Sequence, residues 1–287
     1  MCLIVWALGV SSRWPLVIAA NRDEYWARPT EPLSRWTSNA GQPIVSGRDT
    51  RAGGTWMGMT PGGRVAFLTN VREPGVVDPS WRSRGALVTR WLNGTDASAD
   101  ELLRALQAES QGGADYGGFN LVLGDVATGD WHWMSNRVDG ARVPPAQWPL
   151  KTLPPGVYGV SNAALNTPWP KTVQLTAALT QALDRSQTQQ QLASALWSAL
   201  ASRERCTAEQ LPATGVPPSA ELALSSVCVD FPEIAYGTRS STVLIASAQP
   251  YDSASSTHWN VEVEELTHVT GAPPTVARAV MRWAAEV

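Results

Sequence analysis

Apolar residues fall in short blocks bounded by Gly, Pro, Asn and Asp, the pattern of buried strands, and stretches of helical spacing lie between them. Strands are expected near residues 2–8, 16–21, 55–59, 64–69, 119–124, 130–135, 157–161, 242–246 and 259–265. Pro61-Gly62-Gly63 reads as the turn between two of them, because glycine takes positive φ without a Cβ clash. Helices are expected over 84–92, 100–110, 172–184 and 188–201, with 275–285 as a final short one. Asp100 is a candidate cap for the second helix, since its carboxylate can accept from the unpaired amides of the first turn. Thr167-Pro168-Trp169-Pro170 makes a rigid lead into the third, because each proline keeps the preceding residue out of helical geometry. The QTQQQ run at 187–191 reads as a solvated helix start.

Hairpins come in groups separated by groups of helices. Single strands do not alternate with single helices, which disfavours a doubly wound parallel sheet and favours an α+β fold of two antiparallel sheets covered by helices. One domain over 1–287 is expected, as no stretch has the composition of a long linker. The apolar start has two features against a secretory leader or membrane helix. No Lys or Arg precedes it, and Ser11, Ser12 and Arg13 interrupt it well short of the roughly 20 apolar residues a span needs. Two buried strands joined by a tight turn fit better.

Composition narrows the partners. Lys and Arg number 22 against 25 Asp and Glu, a formal net charge of −3 with no dense basic block. That leaves no electrostatic footprint for nucleic acid or an anionic membrane surface, so a small molecule or a protein is the expected partner. The three cysteines, Cys2, Cys206 and Cys228, make no CxxC pair, no metal-ligand spacing and no even-numbered framework. A reducing compartment, the cytoplasm, is the expectation.

Cys2 is the first candidate for chemistry. Removal of Met1 would leave a thiol and an α-amine on one residue, and an α-amine with a reference pKa of about 7.7–8.0 can serve as base for its neighbouring thiol. The bland alternative is a small buried hydrophobe opening an inner strand, and position alone favours it. Asn21-Arg22-Asp23-Glu24 closes the second apolar block. If the first two strands form a hairpin, this polar run returns to Cys2. Arg22 could then stabilise a thiolate, and Asp23 could hold the terminal ammonium. Otherwise the four are a surface salt-bridge cluster of little energetic weight. Asn70, Asn162 and Arg239 flank other apolar strands, as oxyanion donors would or as ordinary turn and cap residues would.

The same residues carry a resemblance. Met1-Cys2-Leu3-Ile4, Ala20-Asn21-Arg22-Asp23-Glu24, Gly54-Thr55-Trp56-Met57-Gly58, Leu68-Thr69-Asn70-Val71-Arg72, Phe119-Asn120-Leu121, Tyr158-Gly159-Val160-Ser161-Asn162, Thr167-Pro168-Trp169-Pro170-Lys171 and Tyr236-Gly237-Thr238-Arg239-Ser240-Ser241 run in order along the chain. Together they resemble the NRDE family, also called the transport and Golgi organisation family. That family looks in turn like a relative of the cysteine N-terminal nucleophile hydrolases.

The resemblance implies an αββα sandwich with Cys2 as nucleophile, served by Arg22, Asp23, Asn70, Asn162 and Arg239. The spacing of Arg22 and Asp23 departs from the hydrolase pattern. The implied reaction is hydrolysis of a non-peptide C–N amide, with no cofactor required. The resemblance also implies a different function, because relatives are linked with haem trafficking and with acyl-CoA or lipid metabolism. The expected partners are thus a small-molecule amide, acyl-CoA or haem, with haem as cofactor only under the alternative. Trp131-His132-Trp133, among 14 tryptophans, reads as core packing beside a surface histidine more readily than as a ligand wall.

Overall fold

The computed structural model describes residues 2–286, apart from 74, 76, 77, 79, 110–114, 251–255 and 270. In chain order the strands are β1 (Cys2–Leu8), β2 (Leu16–Tyr25), β3 (Thr30–Thr37), β4 (Pro43–Asp49), β5 (Met57–Met59), β6 (Arg64–Asn70), β7 (Phe119–Asp125), β8 (Trp131–Ser135), β9 (Arg137–Val138), β10 (Ala141–Arg142), β11 (Leu150–Thr152), β12 (Gly156–Val160), β13 (Asp230–Phe231), β14 (Tyr236–Pro250), β15 (Ser256–Val269) and β16 (Ala272–Glu286). The helices are α1 (Gly85–Leu92), α2 (Ala99–Glu109), α3 (Pro170–Arg185), α4 (Gln189–Leu200) and α5 (Pro218–Ala223). The class is α+β, built on two antiparallel sheets that each carry helices. Contacts divide the chain into two compact units, one formed by 1–28, 155–161 and 165–286 and the other by 29–154 with 162–164.

The first unit holds the sheet β12-β1-β2-β14-β15-β16, with β13 paired to β14. Its odd-numbered positions Leu3, Val5 and Ala7 on β1, and Val17 and Ala19 on β2, share a core with Leu175, Leu179 and Ala182 of α3 and Leu192, Leu196 and Leu200 of α4. Period-two side chains on the strands thus meet the 3.6-residue stripe of two helices. The α4 start matches its sequence. Thr188 Oγ1 accepts from the Gln191 amide while Gln191 Oε1 accepts from the Thr188 amide, a capping box within the glutamine-rich run.

Helix α3 lies close against the sheet at Gly159. A Cβ there would come within 2.7 Å of both Thr172 Cγ2 and Thr176 Oγ1. Gly159→Ala is therefore expected to lift α3 from β1 and β12 and destabilise the fold by about 1–3 kcal/mol. A fall in the urea concentration of half-unfolding would register it.

In the second unit the sheet runs β11-β8-β7-β6-β5-β4-β3. Its core joins Leu121, Leu123 and Ala66 to Leu87, Val88 and Trp91 of α1 and Leu102 and Leu106 of α2. Both indoles of Trp131-His132-Trp133 are buried, and His132, on the other face, is partly exposed. Among the described residues, no helix is long and apolar enough to cross a membrane.

Several expectations need correction. Residues 275–285 form a strand, the greater part of β16, paired with β15 from Ser256↔Glu286 to Val269↔Ala272. Their Ala, Arg and Met content favours helix locally, but a long neighbouring strand supplies a complete ladder and overrides the preference. Strands β3 and β4 were not anticipated. In β3 only Leu33 is buried, so the run shows no apolar block. The expected strand at 55–59 shortens to β5, because Thr55 Oγ1 is engaged by the carbonyls of Gly47 and Met57 just before it. Ser98 caps α2 in place of Asp100, accepting from the Glu101 amide at 3.2 Å. Ser110, Gly112 and Gly113 lie outside the described residues.

Candidate active site

The β1–β2 hairpin brings the two ends of the sequence motif together. Its register runs from Leu8↔Leu16 to Cys2↔Arg22, so the last pair of the ladder is the candidate thiol and the arginine. Directly paired residues share a sheet face, so Cys2 and Arg22 lie on the face opposite the one that packs on α3 and α4. The next residue, Asp23, is one step past the end of β1. It therefore lies level with the backbone nitrogen of Cys2, where an α-amine would stand once Met1 is removed. Its side chain shares the helix-covered face with Asn21, not the thiol's face. Ser161 Oγ donates to the Cys2 carbonyl at 3.2 Å and fixes the strand end from its other neighbour.

The site is dry. Cys2 is 7% exposed, Arg22 5% and Asp23 1%. Burial pushes the Cys2 thiol up, against the opposing pull of Arg22. Arg22 acts in the direction expected for thiolate support, but desolvation outweighs it and the resting thiol keeps its proton. Burial also pushes the Asp23 carboxyl up. The leading charge against that is Lys171, followed by the Thr238 hydroxyl and Arg22. Thr238 Oγ1 donates to Asp23 Oδ1 at 2.7 Å and accepts from the Val229 amide at 2.8 Å. Arg22 also lies 3.6 Å from Glu24.

Neighbouring residues hold this arrangement. Asn21 Nδ2 donates to the carbonyls of Leu200 and Val227, both at 2.9 Å, and ties β2 to the end of α4. Arg239 sits at a bulge in β14, between the pairs Thr238↔Asp23 and Ser240↔Arg22. Its Nη1 donates to the carbonyls of Tyr25, Trp26 and Arg28 at 2.9–3.0 Å, and its guanidinium lies over the Trp26 ring. The structure gives Arg239 the work of holding the turn after β2. Arg239→Ala is expected to cost about 1–2 kcal/mol through those lost charge-assisted bonds, read as a lower urea midpoint.

Asn70 and Asn162 belong to the second unit, where they hold each other. Asn162 Nδ2 donates to the Asn70 carbonyl at 2.9 Å, and the Arg72 amide donates to the Asn162 carbonyl at 2.8 Å. Asn120, beside them, donates to Thr69 Oγ1 and the Ala163 carbonyl and accepts from the Trp133 indole. Among the described residues, no group of three or more His, Cys, Asp and Glu gathers to hold a metal.

Sequence reasoning gave no role to Lys171, Thr238, Asn21 or Ser161. All four stand inside the recurring motifs, and that placement was the available signal. Only the tertiary structure puts them around Cys2 and Asp23.

The sequence model described as Transport and Golgi organisation 2 matches residues 1–255. The human Transport and Golgi organization protein 2 homolog is 32% identical over 277 residues, covering 88% of this chain and 92% of its own. This chain belongs to the Transport and Golgi organisation 2 family. The Bos taurus homolog is 34% identical, covering 81% of this chain and 82% of its own. Solved structures similar to this member of the family include a Caenorhabditis elegans N-acylethanolamine-hydrolyzing acid amidase ortholog. It has 12% identity and a TM-score of 0.48, covering 84% of this chain and 92% of its own. A variant of conjugated bile acid hydrolase from Clostridium perfringens has 8% identity and a TM-score of 0.49, covering 96% and 92%. The β15–β16 hairpin of this chain lies beyond the residues matched by that family model.

Proposed function

We propose that this chain is a cysteine amidohydrolase, in which Cys2, freed of Met1, cleaves a non-peptide C–N amide. The observation that carries the reading is the hairpin register, which ends on Cys2↔Arg22 and leaves the Asp23 carboxylate level with the amine of a processed chain. A thiol held protonated by burial needs a base within reach, and an α-amine of ordinary pKa about 7.7–8.0 on the same residue is one.

The α-amine takes the thiol proton as sulfur bonds to the carbonyl carbon, and the carbonyl electron pair moves onto oxygen. Collapse of that adduct breaks the C–N bond, and the leaving amine departs with the proton held by the α-ammonium. Water then attacks the thioester, one of its protons passing through the amine to the departing sulfur. A carboxylic acid and the starting thiol result. Asn70 and Asn162 take part as oxyanion donors only on the strength of the family resemblance.

Intact-mass spectrometry tests the proposal. The purified chain is expected to lack Met1 and to gain one acyl group at Cys2 on brief incubation with fatty-acyl p-nitroanilides or acyl ethanolamides, released again on standing. Met1 retained in the purified protein would end the proposal. So would a panel of acyl amides that leaves no adduct and no released amine while iodoacetamide still labels Cys2.

A further inference from the structure

Lys171 is an unusual lysine. It is the second residue of α3, following Pro170, and only 2% of it is exposed. A cation in the first turn of a helix faces the positive end of the helix dipole, and an ammonium out of water demands a counter-charge. The chain before α3 is built to place it there. Asn166, at φ 58°, accepts from the Gly159 amide through Oδ1 and donates its own amide to the Gly159 carbonyl. Thr167-Pro168-Trp169-Pro170 then turns directly into the helix, with Trp169 as the extended residue before it. One residue on, Thr172 presses on Gly159, which pairs with Val5 on β1, so the first turn of α3 packs on the sheet face that also carries Asp23.

Asp23 is the matching anion. It occupies the same helix-covered face as Asn21, is 1% exposed, and has Lys171 as its leading counter-charge. We propose that Lys171 is a positioning residue for the amine of Cys2: its ammonium, buried at the first turn of α3, pairs with Asp23 so that this carboxylate can hold and orient the α-amino group of the processed chain. This rests on the amidohydrolase reading above. Lys171 touches no reacting atom and acts through Asp23. The other charged or titratable groups acting on Cys2 and Asp23 are Arg22 and Glu24 from β2, with Tyr236 from β14 and Cys228 from the segment before β13 also within their field.

Removing Lys171 takes away a cation and moves the titrations of the carboxyl, the amine and the thiol in the same direction, upward. The test is the rate of Cys2 alkylation by iodoacetamide across pH, read by mass on the N-terminal peptide. Lys171→Met is expected to move the acid limb of that profile up by about one pH unit, a loss of about tenfold at a fixed pH on that limb. Lys171→Arg is expected to return the limb toward its original position. A folded Lys171→Met chain whose limb has not moved overturns the inference and leaves the amidohydrolase reading intact. A retained Met1 overturns both. Should Lys171→Met not fold, Asp23→Asn/Lys171→Met leaves no buried charge unpaired and is expected to recover the fold. A double variant as unfolded as the single one would show that the two are not partners.

Discussion

Cys2→Ala is expected to abolish acyl-group capture and to lower amide hydrolysis by about 10⁴-fold or more, since no other group in a nucleophilic mechanism can replace the attacking atom. Ser161 spends its hydroxyl on the Cys2 carbonyl, and Ser240, opposite Arg22, has no adjacent amine to activate it. The fold should hardly notice the change. Cys2 ends a ladder whose core is made by Leu3, Val5 and Ala7 with α3 and α4, and replacing sulfur by hydrogen at that end costs about 1 kcal/mol or less. The decisive pairing is therefore lost turnover with a nearly unchanged urea midpoint. Residual hydrolysis at the wild-type rate in Cys2→Ala would remove the thiol from the mechanism.

Asp23→Asn should do the reverse, striking stability as hard as activity. Asparagine keeps the shape and can still accept from Thr238 Oγ1, but it cannot balance Lys171, which is almost fully buried. Removing one charge of a buried pair leaves the other out of water, a loss set against the desolvation of the carboxylate that raises its titration. The urea midpoint of the first unit should fall accordingly, and differential scanning calorimetry should show the same loss. The pH sign follows from the raised titration of Asp23. The folded carboxyl binds its proton more tightly than the unfolded one. Its contribution to stability is thus greatest below the unfolded value, falls as pH climbs toward the folded value, and is constant above it. Asp23→Asn removes that slope. A variant as stable as wild type across the whole range would mean that Lys171 finds its counter-charge elsewhere.

Much of the framework could be read from local pattern. The first two apolar blocks, broken by Ser11, Ser12 and Arg13, became the β1–β2 hairpin, and the stripes at 172–184 and 188–201 became α3 and α4. The two strands are buried on both faces and read as continuous apolar runs, while each helix buries one stripe, so pattern and structure coincide. Strands β3 and β4 escaped notice because β3 has only one buried residue and its alternation is hidden by polar side chains on both faces. The segment 275–285 was misread for the opposite reason. Its residues favour helix in isolation, and it is a strand because β15 pairs with it along nearly its full length.

The site divides in the same way. Residue type and placement made Cys2, Arg22, Asp23, Asn70, Asn162 and Arg239 candidates, and the family motifs favoured them over ordinary structural roles. A linear chain does not say which side of a sheet a residue faces or what lies across from it. The register put Cys2 beside Arg22 and sent Asp23 to the helix-covered face. The bulge at Arg239 turned its guanidinium onto the carbonyls of Tyr25, Trp26 and Arg28.

By itself the sequence determined the α+β class and the hairpin that begins the chain, because each rests on residue type and short-range periodicity. The hydrogen bond between Asp23 and Thr238 and the burial of Lys171 were decided only by tertiary structure. Those residues are far apart in sequence, and it is desolvation on folding that makes their charges depend on one another.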